Sequence, residues 1–193
     1  MNKFILAAPL LTLCVAAAEA RDISAGTIMI TGDTKIDIGS NEIKNSTGTT
    51  TTDKTEVNLA SLYFLSDNFG AGLLMNNDQT KVDDGAKKTK ETLSMIGPIA
   101  GYNFSVNSNS SILLHASIFN VSGDVDDGAG FKADIDGHGY MLGGIFNYFL
   151  NDRVAVNFGL RWIKADVDYS FSGTSISSDM KETGATIGLA AFF

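Results

Sequence analysis

Three polar residues on separate stretches of the chain have the chemistry of a buried ion-pair network. Asn157 and Arg161 lie four positions apart, so both point to the same face of an extended strand. Glu56 lies on the polar face of an earlier extended stretch. A guanidinium in a narrow interior of low dielectric needs a carboxylate partner. The pattern predicts a polar network of Arg161, Glu56 and Asn157 that closes the interior of a barrel; the alternative is an Arg161 solvated near a rim.

A histidine and a serine also share one strand face, at His115 and Ser117. An imidazole base beside a hydroxyl nucleophile is the pairing that hydrolases use, but it needs a third, orienting carboxylate. No such carboxylate follows from the spacing, and the alternation places both side chains on the inner face. We therefore interpret the pair as a chance occurrence and expect no enzymatic activity.

An acidic stretch supplies oxygen atoms of the kind that bind divalent cations. Its spacing does not match an EF-hand loop, so a solvated acidic loop is the preferred interpretation. The sequence contains neither a Cys/His metal pattern nor a glycine-rich phosphate loop, and we expect no metal and no cofactor. The acidic residues are Asp124, Asp126, Asp127, Asp134 and Asp136.

The elements that must position these groups are clearest between Tyr140 and Tyr169. Side chains alternate along this stretch between a bulky apolar face and a face of glycine, small and polar residues, with a break at Asn151-Asp152-Arg153. A period of two on both sides of a short polar break predicts a β-hairpin. One face of the second strand consists of Val154, Val156, Phe158, Leu160 and Trp162.

The same alternation recurs along the chain and predicts eight strands, joined alternately by long polar connections and short turns. Such sorting of loops is typical of a membrane barrel, whose two ends face different compartments. We therefore predict an all-β fold, an eight-stranded antiparallel up-and-down transmembrane β-barrel. The predicted strands are 24–38, 54–65, 69–76, 91–104, 111–121, 140–150, 154–169 and 181–193, and the long connections are 39–53, 77–90, 123–137 and 170–180.

Alternation alone does not say which face points inward, so a soluble lipocalin-type barrel has the same period. Glycines favour the membrane barrel, because eight of them lie opposite the bulky face and an eight-stranded interior has little room. Aromatic residues cluster near both predicted ends, as two interfacial girdles would require. The glycines are Gly70, Gly72, Gly97, Gly101, Gly143, Gly159, Gly184 and Gly188.

The first 20 residues have the features of a cleaved secretory signal: Lys3, an apolar run, and Ala18-Glu19-Ala20. We expect the barrel domain to comprise residues 21–193. The only cysteine, Cys14, falls within the signal. The net charge of −8 argues against nucleic acid as a partner, since phosphate binding requires a basic face.

The chain resembles small outer-membrane β-barrel proteins of the type that includes the OmpA membrane domain, OmpX, OmpW and the opacity proteins. The resemblance is carried by the last strand, TGATIGLAAFF, and by the hairpin GGIFNYFLNDRVAVNFGLRWIKADVDY. It implies location in the outer membrane of a Gram-negative cell, contact with its lipid and lipopolysaccharide, and recognition of Phe193, with Leu189 and Ala191, by the barrel assembly machinery.

The resemblance implies a structural or surface-interaction role and leaves the ligand of the outer loops unidentified. Two alternatives remain open at this point. One is a narrow channel for small or apolar solutes, of the OmpW kind. The other is a lipid A-modifying enzyme, since a His-x-Ser pair such as His115 and Ser117 resembles part of the site of outer-membrane lipid A deacylases.

Overall fold

The computed structural model describes residues 22–35, 42–45, 48–83 and 87–193, and the predicted signal lies outside these ranges. Within them the chain forms β-strands and no helix that is long and apolar enough to cross a membrane. The strands are β1 (Ile28–Lys35), β2 (Glu42–Asn45), β3 (Gly48–Ser66), β4 (Phe69–Asp83), β5 (Lys88–Asn107), β6 (Ser110–Asp126), β7 (Lys132–Phe149), β8 (Val154–Phe171) and β9 (Thr174–Phe192).

The strands close into a ring. Each strand from β3 to β9 pairs antiparallel with the next, and β1 pairs with β9 on one side and with β3 on the other. The short β2 pairs with the far end of β3, beyond the residues that β1 occupies. Eight strands therefore surround the interior, and the predicted up-and-down barrel is confirmed.

The bulky apolar face points outward, as predicted. Exposed large side chains alternate along every strand near the short-turn end and give way to polar residues further up. Nine residues, such as 96–104, span this band; at about 3.3 Å per residue and a tilt near 40°, they cover roughly 25 Å, the height of a barrel's apolar band. We take 28–34, 57–65, 69–75, 96–104, 112–118, 140–148, 154–162 and 185–193 as the eight membrane-spanning segments.

The strands continue far beyond this band, so the prediction of long outer loops was wrong at 77–90, 123–137 and 170–180. The other predicted loop, 39–53, lies partly outside the described residues. β4 and β5 are joined by four residues, 84–87, β6 and β7 by 127–131, and β8 and β9 by 172–173 alone. Above the bilayer the outward face of a strand meets water, so its bulky apolar residues end while the ladder of backbone hydrogen bonds continues. The inward face stays partly apolar there, at the buried residues Val121, Ile135 and Val167. Polar sequence was therefore mistaken for loop.

The interior is more apolar than the glycine pattern suggested, and only part of the predicted aromatic girdles faces lipid. Tyr63 and Tyr148 point outward, but their neighbours Phe64 and Phe149 are buried inside, because successive residues of a strand point to opposite faces. Phe149 packs against Phe192 inside the barrel, with ring centroids 5.1 Å apart. The core is therefore a packed apolar cluster as well as a polar network.

Pro98 lies within β5 without forming a β-bulge, although proline within a strand often marks one. It pairs with Leu73 of β4, and the register against β6 is the same on both sides of it, at Ile96↔Asn120 and Ile99↔Ser117. The ladder between β5 and β6 lacks pairs at Gly97 and Pro98, and its register shifts only near the turn, between Ser105 and Asn107. Proline removes one donor without shifting the register.

The short-turn end is closed by the segment that precedes β1. Ile23 is buried in the core, and its backbone N–H donates to Oδ1 of Asn68 at 3.0 Å. Asn68 in turn donates from its backbone to the Ile23 carbonyl at 2.8 Å and from Nδ2 to Asp22 at 3.0 Å. These hydrogen bonds hold the segment before β1 across the short-turn end of the barrel.

Candidate functional site

The candidate site is the layer of charged and amide side chains inside the barrel, at the upper edge of the lipid band. Arg161 is only 6% exposed, and its Nη2 donates to Glu56 Oε1 and, at 3.1 Å, to Glu182 Oε1. Glu56 also accepts a hydrogen bond from Asn76 Nδ2 at 2.6 Å, and Asn76 donates to Asn58 as well. The guanidinium therefore has two carboxylate partners, the arrangement that a buried charge requires.

Lysines extend this layer to the neighbouring strands. Glu182 lies 3.3 Å from Lys35 Nζ and 3.5 Å from Lys54 Nζ, and Lys54 reaches Asp78 at 2.8 Å. Burial alone raises the pKa of Glu182, but the charges of Lys54, Lys35 and Arg161 outweigh it and lower that pKa overall. Burial dominates at Asp78, whose pKa is raised despite its contact with Lys54. The network thus holds Glu182 ionised.

The structure brings Arg161 and Glu56 together and places Asn157 nearer the short-turn end. Asn157 is buried and donates from Nδ2 to Thr31 Oγ1 at 2.8 Å. Sequence reasoning missed Glu182, although it lies on the polar face of the last strand, and assigned Asp78 to a loop. Both could have been found by searching the inward faces of the other strands for acidic residues, whose charge is opposite to that of Arg161.

Apolar side chains fill the barrel on the short-turn side of this layer. Leu62, Leu113 and Ile145 are buried among the core residues. The cavity that remains between them and Arg161 has a volume of about 30 Å³, the share of one water molecule in the liquid. The lumen is thus occupied by two successive layers, one charged and one apolar.

The histidine and serine of the hydrolase-like pair do not form a catalytic arrangement. Ser117 Oγ donates to the backbone carbonyl of Pro98 at 2.8 Å. The imidazole of His115 fits against Gly143, where an added Cβ would lie 2.3 Å from Nε2. Its Nδ1 has no hydrogen-bond partner among the described residues, so no carboxylate orients the ring. Both side chains pack inside the wall.

The acidic stretch forms part of a hairpin tip that is bonded to its neighbours. Asp127 accepts hydrogen bonds from the backbone of Ala129 and Phe131, each at 2.9 Å, and lies 2.6 Å from Lys87 Nζ at the β4–β5 tip. Phe131 stacks on Phe171 at the β8–β9 tip, with centroids 5.2 Å apart. The described residues contain no group of His, Cys, Asp and Glu side chains that could hold a metal ion.

The Lys87 hydrogen bond, followed by the backbone donors, lowers the pKa of Asp127 to about 2. This acid is therefore ionised at physiological pH and fixes the turn. One polar contact and one aromatic contact thus connect three hairpin tips, so these three form one continuous surface rather than a set of independent loops.

The three residues expected to serve as an assembly signal lie at the end of the last strand. Leu189 and Phe193 are exposed on the outer face, with Ala191 between them. Phe193 pairs with Ile28 through both backbone groups, at 2.9 and 3.0 Å. The carboxyl-terminal residue therefore takes part in closing the ring. Its recognition by assembly machinery stays a prediction.

Comparison with known proteins agrees with this architecture. A family model described as an outer membrane protein β-barrel domain matches residues 5–193. Among solved structures, OprG from Pseudomonas aeruginosa superposes with a TM-score of 0.56 at 16% identity, covering 88% of this chain and 97% of that one. AlkL superposes with a TM-score of 0.53 at 14% identity, covering 92% of this chain and 95% of that one. Outer membrane protein W of E. coli superposes with a TM-score of 0.50 at 17% identity, covering 88% of this chain and 98% of that one. No curated protein sequence matches the chain.

Proposed function

Because this chain belongs to the outer membrane protein β-barrel family, we propose that it is a closed barrel that displays a rigid surface of hairpin tips, with a structural or surface-interaction role and no catalytic one. The observation that carries the proposal is the filled lumen. The Arg161 layer and the apolar layer beneath it leave a cavity of about 30 Å³, too small for passage of a solute.

The outer end supports the second half of the proposal. In outer-membrane barrels the short turns face the periplasm, so the extended hairpins face outward. The Lys87–Asp127 and Phe131–Phe171 contacts hold their tips together. A pre-formed surface loses little conformational entropy when it binds a partner, which favours an interaction role.

A channel or an enzyme finds less support. A narrow channel requires a continuous path, and the charged layer is stacked directly on packed leucine and isoleucine side chains. A lipid A-modifying enzyme requires His115 and Ser117 to act together on the lipid face, whereas Ser117 is bonded to Pro98 inside the wall.

Planar-bilayer recording tests the closed lumen. Wild-type protein is expected to give no steady single-channel current. The R161A/L113A variant removes side chains from two sides of the remaining cavity and serves as the sensitivity control, with measurable current expected. A steady wild-type current equal to that of the variant would overturn the closed barrel in favour of the channel.

A further inference from the structure

The outer wall carries an oblique groove that crosses four strands. Its volume is about 540 Å³, and it runs over β5, β6, β7 and β8, from Pro98 at the interruption of the β5–β6 ladder along the paired residues Ile118, Tyr140 and Lys164. Because strands of such a barrel tilt by about 40°, a line across them climbs from the lipid band toward the polar zone. The groove therefore joins two environments.

The two ends of the groove differ in chemistry accordingly. Ile96 and Ile118 line the end that lies within the lipid band, whereas His138, Lys164 and Asp166 line the upper end. A second concavity of about 490 Å³ shares Pro98, Ile118 and Tyr140 with the first and continues down the wall. Ala100 and Ala116 pair directly across strands on its floor, so the bulky surface is locally recessed.

A pair of lysines marks the upper end. Lys164 of β8 and Lys181 of β9 lie directly opposite each other in the register, and neither forms an ion pair with a described residue. Like charges at directly opposed positions repel, so this pair gains from a bound anion. Asp166 and Asp179 face each other two residues further from the bilayer, which leaves the lysines nearer the lipid.

An aromatic pair fixes the height of these lysines. Trp162 precedes Lys164 by two residues on the same face, and its ring packs edge-on against Tyr140 with centroids 5.4 Å apart. Tryptophan and tyrosine favour the level of lipid headgroups. Lys164 and Lys181 therefore lie at the height where the phosphates of the outer leaflet are found.

We propose that this surface binds a phosphorylated lipid of the outer leaflet, with its phosphate at Lys164 and Lys181 and an acyl chain in the recess over Ala100 and Ala116. The lysines supply charge and hydrogen-bond donors for the phosphate. The recess supplies apolar area for the chain, and the oblique groove joins the two. No covalent step is involved.

Binding of bisphosphorylated lipid A to purified, detergent-solubilised barrel, measured by native mass spectrometry over a titration, tests the site. The K164Q/K181Q variant is expected to bind about tenfold more weakly or worse, since each lost contact is a hydrogen bond to a charged group. A100L/A116L fills the recess and is expected to weaken binding while leaving both lysines in place. Heat-modifiable gel mobility verifies that each variant is folded.

Two matched controls separate this site from general effects. Lys81 and Lys90 form another directly opposed lysine pair, far above the lipid band, so K81Q/K90Q makes the same charge change. Ala185 faces lipid outside the groove, so A185L adds a leucine of the same kind at a single position there. Both are expected to bind as wild type does. Wild-type affinity in K164Q/K181Q, equal binding of dephosphorylated lipid A, or equal losses in the controls would each overturn the proposal.

Discussion

Arg161 on β8 and Glu56 on β3 meet inside the barrel although 105 residues separate them in the sequence. Strands β3 and β8 are not neighbours in the ring, so this contact crosses the lumen. It joins opposite walls and obstructs the interior at the same point. Stability and closure of the barrel therefore depend on the same pair.

Replacement of Glu56 by glutamine is expected to destabilise the barrel by about 3–5 kcal/mol, the range for removing one partner of a buried ion pair. Arg161 would keep only Glu182 as a carboxylate partner. Urea unfolding followed by fluorescence of Trp162, the only tryptophan, measures the change. Asp179→Asn, which removes an exposed acid, is the control; if both variants unfold at the wild-type urea concentration, the ion pair contributes nothing.

Gly143→Ala is expected to destabilise the barrel by about 1–3 kcal/mol, the usual range for overpacking. The added methyl group would lie 2.3 Å from His115 Nε2. In a His115→Ala background the same substitution should cost much less, which a double-mutant cycle of unfolding free energies measures. Gly144→Ala, on the outer face, is the matched control. An equal cost in both backgrounds would show that His115 is not the clashing group.

The turn between β6 and β7 is expected to lose order only in strong acid. The pKa of Asp127 is lowered from 3.8 to about 2, chiefly by Lys87, so the folded tip favours the ionised carboxylate. Its contribution is complete above pH 3.8 and is lost as the pH falls through about 2. Asp127→Asn should remove this transition. NMR shifts of the Ala129 and Phe131 amides report it.

Asp53→Asn provides the comparison for that titration, because Asp53 is an exposed acid on β3. Its variant is expected to keep the wild-type amide shifts of Ala129 and Phe131. A transition of these amides that persists unchanged in Asp127→Asn would assign the titration to another group.

Phe193→Ala is expected to lower the amount of folded barrel in the outer membrane of cells, while refolding of the purified chain into lipid proceeds as in wild type. Recognition by assembly machinery acts only in cells, whereas the pairing of residue 193 with Ile28 uses backbone atoms that alanine retains. Phe104→Ala removes another exposed aromatic residue near the same end. Equal losses in cells from both variants would argue against a terminal signal.

The face that each side chain takes follows from the sequence, because a strand's period of two is local information. The outward positions of Val156, Phe158 and Leu160 were predicted in this way. Adjacent aromatics such as Tyr148 and Phe149 were both assigned to a girdle, although parity allows only one of them to face lipid. The error lay in assigning every aromatic residue near a strand end to the lipid-facing surface, instead of applying the alternation to each residue in turn.

The sequence was sufficient to predict a buried network of arginine and carboxylate side chains, but not the full set of residues that form it. A buried arginine requires a carboxylate, and Glu56 lay on the correct face. Which carboxylates are near depends on strand tilt, which places Arg161 of β8 at the height of Glu56 although the two are far apart around the ring. The upper part of β4, from Asn76 to Lys81, has no apolar alternation, so the part of the strand that carries Asp78 could not be recognised as one.

The strands are longer than predicted, and their length determines how far the barrel extends above the membrane. β5 has 20 residues; at about 3.3 Å per residue and 40° tilt it rises roughly 50 Å, twice the apolar band. The upper half of this strand extends beyond the bilayer as a continuation of the barrel wall. Substitutions at the hairpin tips would therefore alter the exposed surface without altering its height above the membrane.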